Sequence, residues 1–449
     1  MAGTFGQSRR AVRGARVRSA LDRLEAGRGE NPHPAVADRF PMVIGSARGA
    51  RVKDADGNRY IDMTSFFGVA LAGHRNPAVM SAVRVAQGHL VSSMGDVYPD
   101  PGRAGLLQLL AGMMPAEGYR GVLSQNGADA VETALKFAAA ATGRPGIVSF
   151  EGAYHGLSAG ALEATWRPAF RKPFEAMLSG RAVFAPWPEP DGSNLELVLS
   201  TVERLASSPI INRFGADIGR PGALIVEPIQ GRGGVRVPPP SFLSRLASIC
   251  DRNGIVLITD EIYCGTWRTG TFLASEPEAV VPDIVCLGKA LGGGFPISVA
   301  MMRPAVADAV LPDHGEAVHT STFMGWPVSC AAAIATIAAI KRMEPQEAAT
   351  RIERAVTAAA RSWAGKFDFV RGVAGRGAMM GVSLAGTRGT SASEVTRKVV
   401  SEALSRGVLL LAEGSDSDVL ALMPPLVIGD DDLGTALRII GDSLAKVAE

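Results

Sequence analysis

Two apolar runs end in charged side chains that apolar runs seldom carry. Ile284–Leu287 is followed by Gly288 and Lys289, with three more glycines, Gly292 to Gly294, just beyond. Ile255–Thr259 ends in Asp260 and Glu261. Burying an unpaired ammonium or carboxylate is costly, so both groups need a reason. A lysine at the end of a buried strand either snorkels to the surface beside a flexible loop or forms a Schiff base with a carbonyl cofactor. The acid upstream decides between the two. Pyridoxal phosphate (PLP) needs a lysine to hold its aldehyde and an acid to keep its pyridine nitrogen protonated, and Lys289 and Asp260 answer to those needs. A carboxylate behind four apolar residues stays ionised only beside a cation or hydrogen-bond donors, and a pyridinium is such a cation.

Three further stretches carry groups of weaker individual meaning. Asn126–Gly127–Ala128 opens a helix, whose free N–H groups and dipole make an anion site, and Gly127 lets the backbone come close to a phosphate. Tyr154–His155–Gly156 follows a strand; the ring either stacks on a planar cofactor or lies half-buried at the sheet rim. Glu227, ahead of Pro-Ile-Gln-Gly231, either pairs with an arginine or substrate or faces solvent. Arg232–Gly–Gly234 lacks the GxGxxG pattern of a nucleotide loop.

The elements that must position these groups follow from periodicity. Ala50–Asp54, the Asp56–Gly57 turn and Arg59–Met63 read as a β-hairpin. A helix follows Pro77, another spans Leu106–Met114, and a third Asp129–Ala141. Strands are expected at 121–124, 147–150, 223–227, 255–259, 284–287 and 297–302, with helices at 240–253 and from Trp326–Pro327 to about Arg342. This alternation implies a mostly parallel sheet, with the five candidate sites at the C-terminal ends of its strands, where open α/β sheets bind ligands. Residues 165–221 give no clear elements.

The chain has 449 residues, 47% apolar and 20% charged, with a net charge of +2. That length exceeds one ordinary core, and the charge gives no reason to invoke nucleic acid or membrane. No apolar run reaches transmembrane length. Cys250, Cys264, Cys286 and Cys330 form no CxxC pair, which argues against a zinc site and for a reducing compartment, the cytoplasm. The arginine-rich segment to about Arg28 resembles a transit peptide in composition, but Val17, Leu21 and Leu24 have the spacing of one amphipathic helix.

With these motifs assembled, the chain resembles the class III aminotransferases, the ornithine, GABA and ω-amino-acid group of fold-type I PLP enzymes. The resemblance rests on NGADAVETALKFA (126–138), YHG (154–156), VEPIQG (226–231), TDEI (259–262), RTG (268–270), LGKALGGGFP (287–296) and STFMGWP (321–327). It runs from about residue 40 to the C-terminus. It implies an α/β fold with a large PLP-binding domain at 86–335 and a smaller α+β domain built from both chain ends, the segment 1–85 contributing to it and 336–449 forming the rest.

By the same resemblance Lys289 is the Schiff-base lysine and Asp260 the partner of the ring nitrogen. Ile262 and Tyr154 would pack on the two ring faces, with His155 beside them, and Gly127 and Ala128 would donate to the phosphate. Thr322 would reach the phosphate of a neighbouring subunit, which implies a homodimer with shared sites. Glu227 would gate the site by pairing with an arginine, and Phe66, Phe67, Trp267 and Trp326 would lie near the substrate. The resemblance also has departures. Leu157 and Ala374 stand where the GABA and ornithine enzymes carry arginines for substrate carboxylates, with Arg371 and Arg376 as nearby replacements. Tyr263 stands where many members have a glutamine near the cofactor hydroxyl. The expected reaction moves an amino group between an amino acid or amine and a keto acid or aldehyde, in a specialised biosynthetic pathway, and the missing arginines favour less charged amines. Racemisation, epimerisation or aminomutation on the same scaffold, and PLP binding without turnover, are the alternatives.

Overall fold

The structure is a computed structural model that describes residues 42–95, 97–310, 317–387 and 389–449. The arginine-rich N-terminal helix expected from the sequence lies outside them. Strands β1 (Ile44–Arg48), β2 (Arg51–Asp54) and β3 (Arg59–Asp62) form an antiparallel meander. Asp54 organises the β2–β3 turn, its Oδ1 accepting from the N–H groups of Asp56 and Asn58.

Seven strands make the main sheet: β4 (Arg120–Ser124), β5 (Gly146–Phe150), β6 (Ala182–Ala185), β7 (Pro221–Val226), β8 (Val256–Asp260), β9 (Ile284–Leu287) and β10 (Ser298–Met302). They lie in the order β4-β10-β9-β8-β7-β5-β6. All pairs are parallel except those of β10, which runs against both neighbours. The segment 288–297 that joins β9 to β10 is too short for a parallel crossover, so β10 must come back antiparallel. Every residue of β7, β8 and β9 is buried, because helices cover both faces. On one face lies α3 (Gly127–Thr142), where Ala130, Ala134 and Ala138 pack with Ile225, Ile258 and Cys286. On the other lie α4 (Leu195–Ser207) and α5 (Phe242–Asn253), with Val198, Val202 and Leu246 against Leu224, Val226 and Leu257. Strand β6 and helix α4 fall in the stretch where sequence periodicity gave no clear elements.

Before the sheet come α1 (Pro77–His89) and α2 (Pro101–Ala111), each opened by a capping side chain, Asn76 and Asp100, and a proline in the first turn. After it, α6 (Pro327–Lys341) packs its Val328 and Ala332 on Val79 and Val83 of α1. The remainder comprises α7 (Pro345–Ala364), β11 (Val370–Arg376), β12 (Met379–Leu384), α8 (Ala392–Ser405), β13 (Val408–Leu409), β14 (Leu411–Glu413), β15 (Val419–Leu422) and α9 (Asp430–Ala448). A third sheet has the order β11-β12-β15-β14, whereas β13 leaves it to pair in parallel with β3. Strands from the two ends of the chain thus share one sheet.

Among the described residues no helix is long and apolar enough to cross a membrane, and no group of histidines, cysteines and acids could hold a metal ion. The four cysteines are free and buried.

Candidate active site

The C-terminal ends of β4, β5, β7, β8 and β9 face the same way and surround a cavity of about 440 Å³. Each strand delivers one of the groups singled out in the sequence. After β4, Asn126 caps α3 by accepting from the Asp129 N–H at 3.1 Å, which leaves the Gly127 and Ala128 N–H groups at the open end of the helix. The approach there is close. A Cβ on Gly127 would lie 3.0 Å from Ile262, and one on Gly156 would lie 2.7 Å from Ala128. The Ser158 hydroxyl, buried and without a partner, lines the same cavity.

After β8, Asp260 is buried with both oxygens engaged. Oδ1 accepts from the Ile262 N–H at 3.1 Å, and Oδ2 lies 2.7 Å from His155 Nδ1. His155 is itself buried, and its Nε2 has no partner among the described residues. After β7, Glu227 accepts from the N–H groups of Tyr154 and Gly231, each at 3.0 Å. Burial pushes its carboxyl up to about 6.

After β9, Lys289 takes a left-handed φ of 40°, uncommon for a lysine, in the short turn before Gly293. No acid pairs with it among the described residues. Its ammonium stands over the face of Tyr263, 3.7 Å from the ring centroid. Burial brings it down to about 8, against the opposing pull of Asp260, Glu227 and Glu413. The Tyr263 ring is held in a slot between two glycines. A Cβ on Gly68 would lie 2.6 Å from it, and one on Gly231 would collide with its other edge. The Tyr263 hydroxyl is buried without a partner, and burial raises it further, so it stays a neutral phenol.

These residues fit pyridoxal phosphate on their own chemistry: an amine kept largely out of water, a buried acid fixed by a histidine, and a helix N-terminus that only small residues leave open. The comparisons with known proteins agree. The aminotransferase class-III family model matches residues 33–444. The chain belongs to the class III aminotransferases.

An acetylornithine aminotransferase of Methanopyrus kandleri is 38% identical over 92% of this chain and 96% of its own length. A 4-aminobutyrate aminotransferase of Mycobacterium tuberculosis is 36% identical over 91% and 92%. Among solved structures, an amine transaminase from an uncultivated Pseudomonas species, in its PLP-bound form, superposes with a TM-score of 0.81 at 28% identity, covering 90% of this chain and 95% of that one. The ornithine aminotransferase of Toxoplasma gondii does so with a TM-score of 0.82 at 26% identity, covering 96% and 94%. This class III aminotransferase therefore transfers amino groups with pyridoxal phosphate as cofactor.

The other residues singled out in the sequence fall in different places. Tyr154 and Ile262 line the cavity. Phe67 lies at its rim, but Phe66 turns its ring onto His74, 4.3 Å away, towards Asp62 and the small sheet. Trp267 is in the core against Phe272 rather than near the substrate space. Thr322 is exposed and Trp326 caps α6, its indole N–H donating to the Val91 carbonyl; neither lines the cavity of the single chain. Glu227, expected to pair with an arginine, is held by backbone N–H groups instead. Arg371 is exposed and Arg376 donates to the Ala274 carbonyl, so neither supplies the cavity with charge.

Two site residues escaped the sequence reading. Arg232 lines the cavity, and Glu413, at the end of β14, forms an ion pair with it at 3.1 Å. Arg232 follows the VEPIQG motif directly, a signal that was set aside with the nucleotide-loop reading. Glu413 has no motif around it, and its place is set by the pairing of β14 with β15.

Proposed function

We propose that Lys289 would hold the aldehyde carbon of pyridoxal phosphate and that its amine, when free, would take the proton from the substrate carbon. The supporting observation is the largely buried Lys289, with no acid paired to it among the described residues, in one cavity with the Asp260–His155 pair. When bound, the cofactor supplies an electron-accepting ring that stabilises the carbanion left as the proton departs. Asp260 is the acid that would keep the ring nitrogen protonated. His155 fixes the carboxylate by its 2.7 Å contact. Gly127 and Ala128 would present their N–H groups to the phosphate, with the Ser158 hydroxyl close by, and Ile262 and Tyr154 would bound the ring space. A lysine lowered to about 8 is a competent base near neutral pH once it is released.

The reading extends to a homodimer with shared sites in the cytoplasm. Thr322 would serve the partner's phosphate, and Phe66, Phe67 and Trp326 would shape the substrate entrance of the assembled pair. Exposed Leu90, Val91, Met94, Val97, Tyr98 and Phe323 offer the apolar area for such an interface. The buried free thiols suit a reducing compartment. The amino group would pass between an amino acid or amine and a keto acid or aldehyde in a specialised biosynthetic pathway.

The experiment is spectroscopic. The visible band of the lysine-bound cofactor should vanish when an amino donor is added and return when an oxo acid or aldehyde follows. In Lys289→Ala that band should be absent from the start in a folded protein. A normal band in the variant would remove Lys289 from this role.

A further inference from the structure

The cavity holds a second cation besides Lys289. Leu157 lines the cavity without bringing charge to it, and Ala374 lies within β11. Arg232 instead enters from the loop after β7. Its Nε is 3.1 Å from Glu413 Oε2, yet no hydrogen bond is aligned between them. Among the described residues, no hydrogen-bond partner meets the buried Arg232 Nε or either Glu413 oxygen. The Glu413 side chain is 0% exposed and that of Arg232 24%. The guanidinium also lies over the rings of Phe67 and Tyr154, 5.7 and 5.4 Å from their centroids.

We propose that Arg232 is the anchor for a substrate carboxylate in this enzyme and that Glu413 is its resting partner, released when a carboxylate-bearing substrate enters. The inference rests on the amino-transfer reading and names its substrate class: amino acids and oxo acids rather than plain amines and aldehydes.

The physics favours exchange over simple addition. A carboxylate brought into this space must be met by a cation or lose its hydration uncompensated. Arg232 can meet it with two parallel charge-assisted bonds, better aligned than its contact with Glu413. The aromatic faces of Phe67 and Tyr154 support the guanidinium in either position. Glu413, left behind, need not stay charged. Burial already pushes its carboxyl up to about 7 while Arg232, Arg167 and Lys289 pull it down and Glu227 pushes it up, so loss of Arg232 favours its protonation. A plain amine offers nothing to displace Glu413 and would set an apolar tail against a closed ion pair. Arg232 thus brings to the cavity a charge that Leu157 cannot.

The test compares 4-aminobutyrate with butylamine on the holoenzyme and measures binding of glutarate, an unreactive dicarboxylate, by titration calorimetry. In Arg232→Met the ratio of kcat/KM for 4-aminobutyrate to that for butylamine should fall about 100-fold, mostly through KM, and glutarate binding should be lost. Glu413→Gln removes the competing charge and should tighten glutarate several-fold, which also covers the case of an Arg232→Met protein that fails to fold. An unchanged ratio with amines turning over overturns the anchor and leaves amino transfer standing. Glutarate binding that depends on Arg232, with no amine bleaching the cofactor band, sinks amino transfer and leaves the anchor. Equal glutarate affinity in wild type and Glu413→Gln refutes the exchange.

Discussion

At the scale of single residues, the site is built from groups whose burial opposes their charge. Lys289 is the clearest case: burial brings its ammonium down to about 8 from an ordinary 10.5, and among the described residues no acid pairs with it. The consequence for stability has a definite sign. Below pH 8 the folded and unfolded chains both hold the proton, and the folded state bears the full cost of a buried ammonium. Between about 8 and 10.5 the folded lysine has lost its proton while the unfolded one keeps it, so stability rises with pH. Above that window the cost is gone. Cofactor-free wild type, prepared with hydroxylamine, should therefore gain up to about 3 kcal/mol relative to cofactor-free Lys289→Ala as pH rises through the window. Urea unfolding of both proteins across that range measures it, and parallel pH curves would mean that the amine is not the strained group. Asp260 gives a second prediction at this scale. Asp260→Asn keeps the shape but cannot hold a ring nitrogen protonated, so turnover should fall roughly 100-fold or more, as when a key electrostatic group is lost. Steady-state rates within a factor of a few of wild type would dismiss that role.

At the scale of elements, the site is a set of strand ends and one helix start. Asn126 joins two of them: its side chain caps α3, and its carbonyl accepts from the Ser298 hydroxyl of β10 at 2.6 Å. Asn126→Ala should cost about 1 kcal/mol of stability through the lost cap. It should also loosen the first turn, where the Gly127 and Ala128 N–H groups point outward, so the apparent Kd for pyridoxal phosphate should rise. Fluorescence titration of the cofactor-free variant checks this, and unaltered affinity would detach α3 from phosphate binding. The ends of β7, β8 and β9 were legible in the sequence because fully buried strands read as short apolar runs, and Glu227, Asp260 and Lys289 stand where those runs stop. Strand β6 and helix α4 were not. The stretch before them is dense in proline and arginine, and β6 is an edge strand of four residues with only Ala185 buried. Arg232 and Glu413 were obscured for another reason: they meet across an interval of sequence that no local period spans.

At the scale of the whole molecule, one buried guanidinium ties distant segments around the site. Arg268 is fully buried and is met by carbonyls alone: Pro424 at 2.9 Å, Gly68 at 3.1 Å, and Ala378 and Met423 at 3.2 Å. Those acceptors come from the loop after β3, the β11–β12 turn and the segment after β15, so a single side chain joins both ends of the chain to the main sheet. The sequence showed Arg268 only as part of an RTG motif; its work depends on three loops that converge only in the folded chain. Burial lowers its guanidinium to about 10, so it stays charged at neutral pH and its donors remain available. Arg268→Met fills much of the same space but leaves the buried carbonyls of Gly68, Ala378 and Pro424 without a donor, while that of Met423 keeps the Ser65 hydroxyl at 2.6 Å; each lost partner is worth about 1–3 kcal/mol if nothing else reaches it. Relief from burying a cation offsets part of that cost, so the expected net loss is a few kcal/mol. Gly68 also forms one wall of the Tyr263 slot beneath Lys289, so the variant should retain cofactor less firmly as well as unfold earlier. The two readouts are the urea midpoint and the rate at which the visible cofactor band is lost on dilution. A variant with a wild-type midpoint would show that the three loops hold together without Arg268, and a lower midpoint with unchanged cofactor retention would separate the staple from the site.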